Sequence, residues 1–262
     1  MTTPVGIVVA VAAVVASVVL DHGHLASLIK PSALALVLGG TLASTLAGLI
    51  GHDLRSVLGV LRVVVRGGDR NDPGGFTEHL LEVARTARTQ GVIVLERNLP
   101  EVRFDPFVRT GVELVTTTSE PERVRAVLEA EIEGMCRRHE VGYRAFRDMA
   151  GYAPTLGILG TVIGLVQVLH SLVDPAELGP SIAGAFTATL WGVLTANLIW
   201  LPLANKLRRL SDAEIAYREL VVEGLLAVQE GLSGLSLRDR LVPFLPPGRR
   251  PDEWSVLHRR AA

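Results

Sequence analysis

Two threonines stand in the middle of apolar runs that hold little else able to do chemistry. Thr161 lies in GYAPTLGILGTVIGLVQVLHSLV, residues 151–173, and Thr189 lies in LGPSIAGAFTATLWGVLTANLIWLPLANK, residues 178–206. Neither run contains an acid; beyond His170, the only base is Lys206 at the end of the second. A hydroxyl facing lipid at that depth gains nothing, whereas a ring of hydroxyls around a pore would offer hydrogen bonds to water and to a carboxylic acid. The neighbouring Thr155, Thr187 and Thr195 are read as bonding back to a carbonyl one turn earlier, as helical threonines do. Small residues surround these hydroxyls. Gly157, Gly160 and Gly164 recur at helical spacing on one face, and the second run repeats the theme with Gly192, Ala183 and Ala196. Small residues let helix backbones approach closely. Packing within the chain uses some of them, and their abundance implies an oligomer or a partner helix as well. Pro154 opens the first run and Pro202 closes the second. Each removes a backbone hydrogen bond and can kink its helix, as a static bend or as a hinge.

The wider inventory argues against an enzyme. There is no phosphate-binding glycine loop, no Cys or His set at metal spacing and no nucleophile elbow, so neither a metal nor a cofactor is expected. Cys136 is the single cysteine and reads as a small apolar residue on a helix. His22 and His24 fall in a short loop, and His139 in RRHE has carboxylates nearby for surface pairing. Basic and acidic residues balance at 26 against 27 and alternate along the polar regions, which leaves no basic stripe for a nucleic acid.

The elements that must position the threonines follow from charge segregation. Residues 1–20, 31–51, 151–173 and 178–205 carry no Asp, Glu, Lys or Arg. A bilayer core needs about 20 apolar residues in helical form, so four transmembrane helices are expected, in two hairpins. A signal peptide is the poorer reading of the first run, because MTTP offers no basic n-region. All basic residues but Lys30 lie in residues 51–150 or after 205. The positive-inside rule puts both regions, and with them both termini, in the cytoplasm. The expectation is an all-α membrane protein: spans 1 and 2 in residues 1–51, a helical cytoplasmic region in 52–150, spans 3 and 4 in 151–205, and a cytoplasmic helix with a loose tail in 206–262.

The cytoplasmic parts read as helices. Residues 66–75, RGGDRNDPGG, form a flexible loop. Helices are expected over 78–90, ended by Gly91, over 92–99, stopped by Pro100, and from Asp105-Pro106 through Val115. In TTTSEPERV, Ser119 and Glu122 make a capping-box pair with Pro121 in the first turn. A stripe of Val124, Val127, Leu128, Ile132 and Met135 then runs without a strong breaker into the third span. That helix would be roughly 80 Å long, far more than a hydrocarbon core of about 30 Å. The fourth span continues likewise through Leu203, Leu207, Leu210, Tyr217, Val221, Leu225 and Val228. The cytoplasmic domain is therefore built from the 2–3 loop and from extensions of helices 3 and 4, which pack together as a stalk. The stretch from Val242, with PFLPPGRRP, ends the helical pattern.

These residues carry a resemblance. APTLGILGTVIGLVQVL, followed by LGPSIAGAFTATLWGVLTAN and PLANKL, is similar to the MotA/TolQ/ExbB proton-channel family. IKPSALALVLGGTLAST and ARTARTQGVIVLERNL resemble the MotA branch, as does the large loop between spans 2 and 3. The TolQ/ExbB branch typically has three spans. The likeness extends to about Gly231. TTTSEP departs from it, since relatives often have a DG-containing turn there. The resemblance implies that Pro154 and Pro202 match the family's two coupling prolines. It implies that Thr161 matches a small or hydroxylated position and Thr189 a pore-facing threonine. Arg88 and Glu96 hold the spacing of a rotor-contacting pair; by themselves they would read as a solvated helix face.

The same resemblance implies the working parts that the chain lacks. No acid lies within any span, yet an ion-driven machine needs an ionisable membrane group. A MotB-like single-span, peptidoglycan-binding partner would supply an aspartate. Several copies of the chain, five by family resemblance, would ring a dimer of it, pass H+ or else Na+, and transmit force to the rotor protein FliG. Two other readings stay open: a TolQ/ExbB-like energiser of an outer-membrane system, and a passive scaffold in the bacterial inner membrane.

Overall fold

The computed structural model describes residues 2–20, 22, 28–51, 57, 59, 72–170 and 175–245, with side chains described from residue 5 and, in the last segment, from residue 178. Within them the regular elements are helices. α1 spans Thr2–Leu20 and α2 spans Pro31–Gly48. α3 (Pro73–Gln90), α4 (Val94–Asn98) and α5 (Pro106–Thr117) follow, with a 3-10 turn at Pro100–Arg103. α6 runs unbroken over Pro121–His170. α7 (Pro175–Thr195) passes through a π turn at Ala196–Trp200 into α8 (Leu201–Gln229). α9 (Leu235–Leu241) and a 3-10 turn at Val242–Phe244 close the described chain.

Three of these helices are long and apolar enough to cross a membrane, in Pro31–Gly48, Pro121–His170 and Leu178–Gln229. The apolar stretch of α1, Val5–Leu20, is shorter. The chain divides into two compact units. One comprises Met1–Gly68 and Arg138–Arg209, the other Asp69–Arg137 and Leu210–Ala262.

In the first unit, α2, α6 and α7 meet over small contacts. Val37, Ala153 and Ala196 form one buried cluster with Trp200 against it. A second gathers Ala145, Phe146, Met149, Ala204 and Leu207. Thr41 and Thr45 of α2 are buried and donate to the carbonyls of Val37 and Thr41, which satisfies both hydroxyls inside their own helix. Trp191 Nε1 donates to the Leu28 carbonyl at 2.6 Å and ties α7 to the chain entering α2.

The second unit has a large aliphatic and aromatic core. Phe76 and Leu80 of α3, Phe107 and Val112 of α5, Leu128 of α6 and Leu225 of α8 are all fully buried or nearly so. The expected stripes of α6 and α8 meet here, with Val124, Ile132 and Met135 packed in the same core as Tyr217, Val221 and Val228. Within the α6 stripe Val127 is the exception, 42% exposed at the stripe's edge, and Leu203 and Leu207 of the α8 stripe pack in the first unit instead. Cys136 packs half-buried against this core, and burial pushes its thiol up.

Several boundaries differ from the expectation. α3 begins at Pro73, because Pro is suited to the first helical position and Phe76 is anchored in the core; the part of the expected loop before Asp72 lies outside the described residues. α6 begins at Pro121, and its first turn is closed by the Glu120 carbonyl. Ser119 thus sits one residue too early for the capping box. The turn ahead of it is held by Gln229 Nε2, which donates to the Thr118 carbonyl at 2.7 Å. At α5, Asp105 caps as its sequence implies, its carboxylate accepting from the Phe107 amide. The tail expected to be loose from Val242 is packed at its start: Val242 and Leu245 are buried, as are Leu237 and Leu241 of α9 before them. The remainder of the expected tail lies outside the described residues.

Candidate functional site

The crossing of α6 and α7 is built by what its glycines lack. A methyl at Gly157 would lie 2.9 Å from the Ala188 carbonyl oxygen and 3.0 Å from Thr189 Cα. One at Gly192 would lie 2.6 Å from the Ala153 carbonyl oxygen and 3.2 Å from Pro154 Cα. Gly164 faces the Ala185 backbone in the same way, and Gly160 faces Ala188 and Leu36. These neighbours are mostly main-chain atoms, which cannot turn aside. Packing within the chain therefore accounts for all four glycines. The surface that α6 and α7 leave outward is apolar and bulky, with Ile158, Val162, Val166 and Phe186 exposed.

That close approach brings Thr161 and Thr189 together. Their hydroxyls hydrogen-bond to each other at 2.5 Å. Thr189 also reaches the Gly157 carbonyl across the helix pair at 3.1 Å, and Thr161 reaches the Gly157 and Ala185 carbonyls at 3.2 Å each. Each hydroxyl has one proton and two lone pairs. The arrangement is thus a compact polar knot of two hydroxyls and two backbone carbonyls, half-buried in an apolar pair of helices. Thr155, Thr187 and Thr195 instead bond back to carbonyls three or four residues earlier in their own helices. The back-bonds of these three are as the sequence implies, and Thr161 makes one too, to Gly157.

The two prolines sit in different surroundings. Pro154 lies inside unbroken α6, beside Gly192 at the tight crossing. Pro202 follows the π turn at Ala196–Trp200. A π turn lets the hydrogen-bond ladder absorb an extra residue where proline supplies no N–H. A second π turn lies at Ala35–Gly39 in α2, where no proline follows to mark it.

In the second unit, Arg88 is exposed in the last turn of α3 and Glu96 is exposed on α4. Gly91, at φ +85°, makes the connection between these helices, a conformation that favours glycine. Glu96 accepts from Thr116 Oγ1 at 3.1 Å, which ties it to α5. A charge network the sequence reading missed lies around Glu223. Burial opposes the charge of this carboxylate, but hydrogen bonds from Arg125 at 2.6 Å and Arg240 at 3.1 Å outweigh it and hold Glu223 below the usual carboxylate range. Arg240 also grips Glu230 and so fastens α9. No group of acids, histidines and cysteines among the described residues is placed to hold a metal ion.

The chain matches known proteins over nearly its whole length. Residues 101–220 match the MotA/TolQ/ExbB proton channel family, and residues 4–91 match the Motility protein A N-terminal family. Motility protein A of Bacillus subtilis is 32% identical, over 94% of this chain and 90% of its own. Chemotaxis protein PomA of Vibrio alginolyticus is 28% identical, over 95% and 97%. The structure of the flagellar MotAB stator complex from Bacillus subtilis superposes with a TM-score of 0.88, over 95% of this chain and 98% of that one. The Campylobacter jejuni MotAB structure, at 22% identity and the same TM-score, shares the fold. The chain belongs to the MotA/TolQ/ExbB proton channel family.

Proposed function

We propose that the chain is an ion-conducting stator subunit of the bacterial flagellar motor. With a MotB-like single-span partner it couples ion flow to torque on the rotor. The observation that carries this reading is the Thr161–Thr189 hydroxyl pair, held by glycine contacts in two spans that contain no acid. The match to the Motility protein A N-terminal family supports the flagellar branch over a TolQ/ExbB-like energiser.

In this reading α1 is a fourth span, both termini face the cytoplasm, and copies of the chain ring the partner in the inner membrane. Protons bind and leave the partner's carboxylate, and each inward charge releases about 2.3 kcal/mol per 100 mV. The hydroxyl knot offers that carboxylate donors and acceptors that can re-pair as its protonation changes. Pro154, against Gly192, and Pro202, after the π turn, carry the resulting shift into α6 and α8. Arg88 and Glu96 present opposite charges to the rotor protein FliG.

The test is proton flux and swimming in cells that express the chain with its partner. Thr189→Val should lower both at least about tenfold with expression intact, as expected for loss of a functional polar group in a membrane site, while Thr189→Ser retains them. Normal flux in Thr189→Val would reject the pathway role. Swapping the driving gradient from protons to sodium identifies the ion. Double charge reversal at Arg88 and Glu96 should stop swimming and leave flux in place; normal swimming would reject the rotor contact.

A further inference from the structure

A groove runs between α1 and the segment that joins α7 to α8, and its two halves differ in chemistry. The first half is a cavity of about 350 Å³ lined by Ile7, Val11, Val15, Leu194, Leu198 and Ile199, among other apolar side chains. Its polar wall groups already have partners. Thr195 Oγ1 donates to the Trp191 carbonyl at 2.8 Å, and Trp191 Nε1 donates to Leu28. Water gains little in such a space. The second half, about 520 Å³, shares Ile7 and Leu198 with the first and is therefore continuous with it. There the wall changes to Asn197, Asn205, Lys206 and Arg209, with Pro202 between them. Both volumes fall in the range of small-molecule sites.

We propose that this groove binds a phospholipid with an anionic headgroup, its acyl chain beside Val11 and Leu194 and its phosphate beside Lys206 and Arg209. Charge complementarity selects this occupant. A neighbouring copy's apolar helix would suit the first half and bring no negative charge to the cationic second half. A free phosphate would suit the second half and leave the first empty. A hydrocarbon tail joined to an anion fits both. Cationic side chains near the membrane surface attract anionic lipids, each contributing about 1 kcal/mol, or roughly a fivefold effect. The cations lie just past the fourth apolar run, so the headgroup belongs to the leaflet on that side. Naming it the cytoplasmic leaflet rests on the orientation in the functional reading above; the site itself does not. Because Pro202 lines the second half, a bound lipid braces the chain where the π turn passes into α8.

Native mass spectrometry of the full chain, purified as its assembled complex and incubated with phosphatidylglycerol, phosphatidylcholine or inorganic phosphate, tests this. The wild type should retain phosphatidylglycerol over phosphatidylcholine. Lys206→Gln with Arg209→Gln should cut phosphatidylglycerol retention about tenfold or more and leave phosphatidylcholine unchanged. Leu194→Trp, which fills the apolar half, should lower both. Equal retention of the two lipids by the wild type would overturn the proposal, as would unchanged phosphatidylglycerol retention in the double variant. Displacement of phosphatidylglycerol by millimolar phosphate would show a simple anion site and overturn it too. So would disulfide formation between copies carrying Ala10→Cys and Leu198→Cys, which would place a second copy in the groove. None of these readouts is ion flux or swimming, so a failure here leaves the stator reading untouched.

Discussion

The two units of this chain solve helix packing in opposite ways. In the unit of Arg138–Arg209 and the first two helices, contact is made by removing side chains, so that α6 and α7 touch through Gly157, Gly164 and Gly192 and main-chain atoms. In the unit built on α3, α5 and α9, contact is made by filling space with Phe76, Phe107, Leu128 and Leu225. With the first unit in lipid and the second in water, as the proposed function has them, the solvent explains the difference. Lipid tails are as apolar as leucine, so burying bulk in a membrane gains little and close backbone approach gains more. In water, each large apolar side chain removed from solvent contributes about 1.5–3 kcal/mol. Polar contacts between the long helices differ as well: α6 and α7 meet hydroxyl to carbonyl, through Thr189 and Gly157, whereas α6 and α8 meet guanidinium to carboxylate, through Arg125 and Glu223. One lesson concerns glycine itself. Gly224, in the second unit, faces the side-chain tips of Leu80, Phe76 and Leu241, the nearest 2.5 Å from an added methyl, and side chains can shift by rotation. Gly192 faces a carbonyl that cannot.

The contrast is broken most directly by adding bulk at these two glycines. Gly192→Val should abolish assembly and swimming, because a branched side chain must displace the main chain of Ala153 and Pro154; overpacking costs of about 1–3 kcal/mol are a lower bound here. Gly224→Ala should fold and swim, at a cost of about 1–3 kcal/mol, because side-chain tips rather than main chain must give way. Membrane-fraction yield, copy number by mass measurement and swimming speed read both. Equal tolerance at the two sites would mean that the α6–α7 crossing is as deformable as the core of the second unit.

Deleting bulk reverses the ranking. Phe76→Ala should destabilise the second unit by about 3–5 kcal/mol, since Phe76 is fully buried and stacks edge-on with Tyr217 at 5.9 Å. Leu169→Ala, exposed on α6, should change little. Thermal melting followed by circular dichroism would show it. A melting curve unmoved by Phe76→Ala would remove the core from the list of what holds that unit together.

The sequence made much of this contrast readable, and unevenly. Charge-free runs located the apolar helices, and periodicity located the α6 and α8 stripes, because both signals repeat over many residues. The back-bonding of Thr155, Thr187 and Thr195 was readable from the habit of helical threonines. Family resemblance singled out Arg88 and Glu96, which no local pattern would have chosen. What stayed hidden depends on register between distant segments. The glycine faces look the same in sequence whether they meet a neighbour's helix or α7. A π turn changes hydrogen bonding without changing composition, and Pro202 was its only herald. Arg240 pairs with Glu223 across 17 positions and two turns, a distance at which sequence patterns say nothing. Leu237 and Leu241 lie in a helix too short for periodicity to reveal.

The Glu223 network sharpens the polar half of the comparison at a smaller scale. Its carboxylate is held below the ordinary range, so its contribution is present above the unfolded value of 4.5 and is lost as pH falls through the lower folded value. Glu223→Gln should cost about 1–2 kcal/mol at neutral pH, between the ranges for exposed and buried pairs, and should flatten acid sensitivity below 4.5. Protease sensitivity around α9 should rise, because Arg240 then keeps only Glu230. Thr161 and Thr189 carry no titrating group, so the hydroxyl knot should show no matching acid transition.

The smallest expected effect is at His79, half-exposed on α3, whose Nδ1 lies 2.8 Å from Glu101 Oε1 in the adjoining 3-10 turn. The hydrogen bond to Glu101 raises the imidazole above its ordinary 6.5, against a smaller loss from burial. Its stabilisation is therefore complete below 6.5 and disappears as pH rises through the higher folded value, opposite in sign to Glu223. Water screens the pair, so the loss should stay under about 1 kcal/mol. Hydrogen exchange at the Val102 and Phe104 amides, measured either side of that transition, should report the loosening locally, because Leu99 and Glu101 carbonyls hold those amides in the turn. His79→Gln should remove the pH step and leave the acid transition of Glu223 in place. If instead both steps vanished together, the second unit would be held by one coupled charge system rather than by a packed core with separate pairs at its margins.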